Sequence, residues 1–225
     1  MTDTVGWSLA IVTAWLGTIV LVAEWLKRTT NLDAELVRKV VHIGVGNVIL
    51  LAWWLQIPAW VGVTAAIVAS LIAILSYRVP ILPSVNSIGR QSWGTFFYAV
   101  SIGVLIAIFW GLNRQEYAAI GILIMTWGDG LAALVGQRFG YHRYQLWDMQ
   151  KSWEGSATMM LVSFVVTGLI LLAEQGNLWQ NWAIAGTIAV VATILEAFSK
   201  FGIDNLTVPL GSAILGFWFS HLVGL

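Results

Sequence analysis

The chain has 225 residues, of which 59% are hydrophobic and only 10% charged, and its mean hydropathy of +0.83 excludes an ordinary soluble domain. Eleven basic residues balance eleven acidic ones, so bulk charge gives no case for nucleic acid or for an acidic partner surface. Cysteine is absent, which removes disulfides, thiolate metal sites and cysteine nucleophiles and leaves the redox compartment unread.

A membrane-crossing helix takes about 20 apolar residues at about 1.5 Å of rise each. Eight such runs follow one another, at 5–26, 38–57, 59–76, 95–112, 117–136, 156–173, 182–198 and 206–224. They predict an all-α fold: a polytopic bundle of about eight transmembrane helices forming a single domain over 1–225. The first run has no basic segment before it and is followed by Lys27 and Arg28, so it reads as a retained span rather than a cleaved signal peptide. Trp7, Trp25, Trp60, Trp110 and Trp179 stand near run ends, where half-polar indoles anchor to the interface. Two prolines in 77–94 rule out a regular helix there and suggest a segment along the interface.

The basic residues fix a predicted orientation. Segment 27–37 with Arg38 and Lys39 carries four, 77–94 two, 137–155 three and 199–205 one, whereas the other connections and both termini carry only Arg114. The positive-inside rule then puts both termini outside and the odd-numbered loops in the cytoplasm.

Asp129 interrupts the apolar run from Tyr117 to Val135, where a carboxylate costs about 2.5–3.5 kcal/mol unless partnered. No cation stands within one helical turn of it in the sequence, so its counter-charge is expected from another helix or a bound metal. Gly128, Gly130, Gly136 and Gly140 allow close approach of backbone or ligand, and Lys151 and Glu154 follow in the loop before the sixth run. Carboxylate, glycines and lysine together suggest a metal-phosphate site. Under the predicted topology Glu24, Arg38, Lys39, His42, Asp129, Lys151, Glu154, Glu196, Asp204 and Asn205 share one depth, and one inward cleft could hold them all. Lys39, His42 and Gly46 fall within about 60° of one helical face. The N-termini of the second, fourth, sixth and eighth helices also point to that side, with free N–H groups that suit phosphate. The eighth is expected to open on Asp204 or Asn205 as cap, with Pro209 in its first turns.

Plainer readings stand beside these. Arg38 and Lys39 are also ordinary topology determinants, His42 a hydrogen-bonded core histidine, Gly128 and Gly130 packing residues. Glu24 or Glu196 would also serve as ion-pair partner to Lys27 or Lys200. An ion pathway through a small transporter is a further alternative, but the polar groups crowd one side instead of forming a path to the other.

At RKVVHIGVG from Arg38, GDGLAALVGQRFG from Gly128, KSWEGS from Lys151, and Glu196 with DNLTVPL from Asp204, the sequence resembles the membrane-bound lipid-alcohol kinases. That family includes phytol kinase, dolichol kinase and the CTP-dependent diacylglycerol kinase. The central two motifs are also similar to phosphatidate cytidylyltransferases, but the RK-x-x-H and DN-x-x-x-P ends favour the phytol kinase branch. One departure is Ala133, where plant phytol kinases tend to carry a second Asp. The resemblance implies phosphorylation of a long-chain isoprenoid alcohol such as phytol, geranylgeraniol or farnesol, drawn from the bilayer, with CTP or UTP as donor and Mg²⁺ as metal. In phototrophs that reaction belongs to phytol salvage and tocopherol synthesis. It further implies a site on the cytoplasmic side of an integral membrane protein and leaves room for a homo-oligomer. By the same resemblance Asp129 is assigned to the metal, with Asp204 or Glu196 as second carboxylate. Lys151, Lys39 and Arg38 go to phosphates, together with Gly128, Gly130, Gly136, Ser152 and Asn205. His42 or Glu154, beside Asp129, goes to the substrate hydroxyl. A CDP-lipid-forming transferase and a diacylglycerol or dolichol kinase are the alternatives.

Overall fold

The computed structural model describes residues 2–30, 33–76, 93–147 and 149–225, and the interfacial segment expected at 77–94 lies, but for its last two residues, outside them. Helix α1 spans Thr2–Thr29, α2 Ala34–Gly46, α3 Val48–Trp54, α4 Ala59–Ser76 and α5 Gly94–Gly111. Next come α6, Gln115–Leu123, a π-helical turn over Ile124–Asp129, and α7, Gly130–Phe139. A two-stranded antiparallel hairpin, β1 Arg143–Leu146 and β2 Met149–Ser152, leads into α8 Trp153–Gln175, α9 Trp179–Ala197 and α10 Asp204–Leu222. Long apolar segments take this form because, in lipid, backbone N–H and C=O groups must satisfy one another within the segment.

All eight apolar runs fall on helices. Among the described residues six segments are long and apolar enough to cross a membrane: Val5–Thr29, Leu36–Trp54, Ala59–Ser76, Gly94–Gly111, Gln115–Phe139 and Trp153–Gln175. Helices α9 and α10 fall outside that set, and their ends carry Gln180, Asn181 and Glu196, and Asp204, Asn205 and His221.

Two departures from straight helices matter. The run predicted at 38–57 breaks between α2 and α3 at Asn47, whose side-chain amide donates to the Ile43 carbonyl at 2.8 Å and so competes with the helical ladder. The run at 117–136 widens into the π turn, where Thr126 Oγ1 donates back to the Ile122 carbonyl at 2.6 Å. Such widened turns free backbone groups and re-aim side chains.

The segment carrying Asp129 is the axis of the bundle. Tyr117, Ala118, Ala119, Ile120, Ile122, Ile124 and Met125 have no exposed surface, because α6 is enclosed by α3, α5, α8 and α10. With lipid as apolar as leucine, this association rests on close packing rather than water exclusion. Gly121 sits against the Pro209 carbonyl of α10, where a side chain would collide with backbone. Trp7, Trp25, Trp60 and Trp179 are exposed, as interfacial anchors require, but Trp110 packs against the core and its indole N–H donates to the Ile57 carbonyl at 2.9 Å.

At the end away from the hairpin, Arg114 Nε donates to Glu116 at 2.6 Å and its Nη2 to the Tyr117 hydroxyl at 2.6 Å, which also accepts from Gln175 at 3.0 Å. The guanidinium lies 5.0 Å from the Tyr117 ring centroid and 5.8 Å from that of Phe217, so one network joins α6, α8 and α10. Glu116→Gln is expected to lower stability by about 1–3 kcal/mol, the range for weakening a buried charge-assisted bond. Thermal unfolding in detergent should show the loss.

Candidate active site

The acid inside the bundle is neutralised from a neighbouring helix. Lys39 of α2, only 4% exposed, places Nζ 2.5 Å from Asp129 Oδ2 and 3.5 Å from the Asp129 carbonyl. His42, one turn further along α2, has Nε2 3.3 Å from the Met125 carbonyl, to which its N–H donates when Nε2 is protonated, and 4.0 Å from Asp129 Oδ2. Its ring leans on Tyr98 at 4.7 Å between centroids, and the Tyr98 hydroxyl shares a 2.6 Å hydrogen bond with Thr126. Gly46 completes the face, because any side chain there would strike Thr126 and the Tyr98 hydroxyl. The expected single face of Lys39, His42 and Gly46 is therefore the face that meets the π turn.

On its other side Asp129 opens into a cavity of about 320 Å³ lined by Ala132, Ala133, Gly136 and Gln137 of α7, Arg143, Gln150, Lys151 and Ser152 of the hairpin, Gly155 and Ser156 of α8, and Glu196 of α9. Lys151 repeats the device of Lys39: its Nζ lies 2.5 Å from Glu196 Oε1 and 2.5 Å from the Glu196 carbonyl. The hairpin sets Lys151 opposite Tyr144, whose hydroxyl bonds Ser156 at 2.6 Å and ties the strands to α8. Ser152 caps α8, accepting from the Gly155 N–H at 3.1 Å, so a helix N-terminus borders the cavity. Helices α7 and α8 come this close because Gly136 and Gly155 face each other; a Cβ on Gly155 would sit 3.0 Å from the Ala132 carbonyl.

The structure thus gathers Asp129, Lys151, Glu196, Ser152 and Gly136 around one space. Several other expected residues stand elsewhere. Lys39 and His42 do not line the cavity but back Asp129 from the α2 side, with Arg38 near enough to act electrostatically on both Asp129 and His42. Gly128 packs on Met159 and Ser163, and Gly130 on Ile43, so both serve helix packing in this arrangement. Glu154 turns to His142, with Nδ1 at 2.7 Å and the backbone N–H at 3.1 Å, and holds the turn before β1. Asp204 is the first residue of α10 rather than its cap: Oδ1 accepts from the Asn205 N–H at 3.1 Å, while its own N–H donates to Ser199 Oγ at 2.6 Å. Asn205 spends its amide on Asp204 Oδ1 at 3.2 Å and the Gly202 carbonyl at 3.3 Å. Glu24 pairs with Arg28 at 2.6 Å on the exposed side of α1, not with Lys27, and Glu196 pairs with Lys151, not Lys200.

Arg143, Gln150 and Gln137 are the cavity residues that sequence reading passed over. For Arg143 and Gln150 the available signal was alternation in the four-residue stretches RYQL and MQKS, which are short enough to read as loop, whereas Gln137 lies on α7.

Asp129 and Glu196 offer hard oxygen donors that suit a magnesium ion, and Asp204 lies close enough for its charge to be felt by both. No cluster of three or more His, Asp or Glu capable of closing round a metal is found among the described residues. The donor set still fits magnesium, which is commonly held by one or two carboxylates together with substrate phosphates rather than by an all-protein cage.

Removing one member of the Lys39–Asp129 pair strands the other in the bundle. With Lys39 in contact, Asp129→Asn leaves an unpaired ammonium in the bundle. Asp129→Asn and Lys39→Met should each cost about 3–5 kcal/mol, and the double variant should recover most of it. A double-mutant cycle on thermal or denaturant unfolding in detergent measures the coupling.

No protein-family model matches the chain. No solved structure matches it either. Among curated proteins it is 54% identical to the phytol kinase of Synechocystis sp., over 96% of this chain and 92% of that one. It is 27% identical to phytol kinase 1 of Arabidopsis thaliana, a chloroplastic protein, over 88% of this chain and 71% of that one. Farnesol kinase of the same plant is 28% identical, over 82% and 66%. Extended similarity of this order along nearly the whole of both chains places this protein in the phytol kinase family.

Proposed function

We propose that this protein transfers the terminal phosphoryl group of a nucleoside triphosphate to the hydroxyl of a long-chain isoprenoid alcohol held in the bilayer, phytol first among them. The observation that carries the reading is the 54% identity to a phytol kinase over 96% of the chain. The cavity supplies a physical setting for it. Phosphoryl transfer needs charge neutralisation and in-line positioning more than covalent chemistry. Lys151, Arg143 and the N-terminus of α8 are placed to hold phosphates, and Asp129 reaches the same space from the interior of the bundle.

The two cations and two acids that line the cavity cancel. The several negative charges of a triphosphate therefore call for added positive charge, which Mg²⁺ supplies when bound, with Asp129 and Glu196 to hold it and Asp204 as a third carboxylate close by. As nucleotide enters, Lys151 exchanges Glu196 for phosphate. Lys39 stays with Asp129 as a buried counter-ion that fixes the carboxylate's position. His42, held between Tyr98 and the Met125 carbonyl, faces Asp129 from the α2 side and is the residue assigned to the alcohol hydroxyl. The donor is CTP or UTP. The shared motif pair with cytidylyltransferases supports a pyrimidine, and no Walker or protein-kinase nucleotide motif occurs. All eight helical segments cross the membrane, with both termini outside and the cavity facing the cytoplasm.

Turnover of the purified protein with labelled CTP, UTP, ATP and GTP against phytol, geranylgeraniol, farnesol, dolichol and diacylglycerol tests this reading. Prenyl monophosphate and nucleoside diphosphate are the expected products. Pyrophosphate release would mean nucleotidyl transfer instead, and turnover of diacylglycerol without phytol would overturn the acceptor. Lys151→Ala is expected to raise the Michaelis constant for nucleotide about tenfold or more, as loss of a charged phosphate contact should, while the constant for alcohol stays near wild type.

Orientation has its own test, because a chain without cysteine accepts single-cysteine labelling with no background. Gln145→Cys on β1 and Asn177→Cys between α8 and α9 are both exposed positions at opposite ends of α8. The first should react with an impermeant maleimide only from the cytoplasmic side and the second only from outside; reversed labelling would sink the topology.

A further inference from the structure

The cavity is graded from buried charge to exposed amide. At its inner end Asp129, Lys151 and Glu196 have side chains only 16%, 18% and 13% exposed, whereas Gln137, Arg143 and Gln150 are exposed at its mouth. An alcohol anchored in the bilayer brings its hydroxyl to the interior acid, so the phosphoryl group in transit lies at the Asp129 end. The triphosphate then runs outward past Lys151 and the α8 N-terminus, and the nucleoside comes to rest at the mouth.

What waits there is not another phosphate site. Gln150 receives only a 3.5 Å approach from Arg143 at its carbonyl, which leaves its amide N–H groups free, and Gln137 makes no side-chain hydrogen bond among the described residues. A carboxamide carries a donor and an acceptor side by side, as does the pairing edge of a nucleobase, and it adds no charge that would compete for phosphate. Resting on the nucleotide reading above, we propose that Gln150, with Gln137, reads the base of the donor and sets nucleotide selectivity. The hairpin that presents Gln150 also presents Arg143 and Lys151, so base and phosphate contacts sit on one hydrogen-bonded pair of strands.

The test uses the full-length protein in lipid nanodiscs and measures equilibrium binding of CTP, UTP, ATP, GTP and inorganic tripolyphosphate, with turnover recorded separately. In Gln150→Ala the ratio of affinities between the best and worst nucleotide should fall by about tenfold or more, the usual size of a bidentate amide–base contact, while tripolyphosphate binding is unchanged. Gln150→Glu, which can only accept, should raise CTP over UTP, because cytosine offers an amino group where uracil offers a carbonyl. Gln137→Ala should move the same ratio in the same direction. Unchanged ratios in all three variants would overturn the proposal, as would an equal loss for every nucleotide and for tripolyphosphate, which would make these residues phosphate contacts. Wild-type preference for ATP, or selective binding without alcohol phosphorylation, would refute the donor or the reaction proposed above and leave base reading standing on the collapse of the ratio.

Discussion

A carboxylate cannot stay ionised within a bundle of apolar helices unless something meets it, and the rest of the structure is arranged round that requirement at Asp129. Placing a charge at mid-helix costs about 2.5–3.5 kcal/mol on insertion scales, a large share of the stability of any domain. Lys39 at 2.5 Å answers it, and the answer fixes α2 against the central segment. Once α2 is fixed there, His42 and Gly46 follow by helical spacing onto the π turn. The break at Asn47 follows too, its side-chain carbonyl accepting from the Trp127 indole at 3.1 Å. An ion pair of this kind adds little net stability compared with a well-packed apolar pair. Its presence in so costly a place is better explained by what the carboxylate does on its open side.

That side repeats the same physics with a different outcome. Lys151 and Glu196 are also paired at 2.5 Å, but they border a cavity whereas Lys39 is walled in. In the proposed reaction the first lysine stays a counter-ion and the second exchanges its partner for phosphate, a distinction that rests on burial and not on residue type. In a cavity whose lining charges cancel, an arriving polyanion must reorganise the existing pairs before it gains from them.

The sequence made Asp129 conspicuous because an acid in an apolar run has no inexpensive structural explanation, and Lys151, Glu196, Ser152 and Gly136 were reachable from it by motif and topology. Lys39 was legible as important but not in kind. The residues that decide it, Ile43 packed on Gly130 and the π turn that swings Asp129 toward α2, belong to packing between segments some 90 residues apart. The π turn itself leaves little trace in apolar periodicity: every residue leading into it from Ile120 to Met125 is apolar or glycine whichever face it takes, and within it only Thr126 and Asp129 are polar. The hairpin was lost for a different reason. Two strands of four residues each carry too few alternations to stand out, and Arg143 looked like one more topology-setting cation. Glu154 has a motif context that suggests chemistry, and in the structure it bonds His142 of the turn at 2.7 Å, a contact its motif does not announce.

The position of Asp129 also bears on how water is kept from the reaction. A hydroxyl on a lipid chain competes with water at far higher concentration for any activated phosphoryl group, so a kinase acting on such an alcohol must keep the transfer point dry. The central helix suits that requirement: Ile122, Ile124 and Met125, in the two turns before Asp129, have no exposed surface. The hairpin side stays open and polar, as entry of a charged donor that cannot enter lipid would require. The carboxylate thus stands at a boundary with a wet cavity on one face and packed helices on the other. The two substrates of the proposed reaction differ in just this respect, one confined to water and the other to lipid. In the proposed reaction, a residue that touches both media from a fixed position would let them meet without either having to cross.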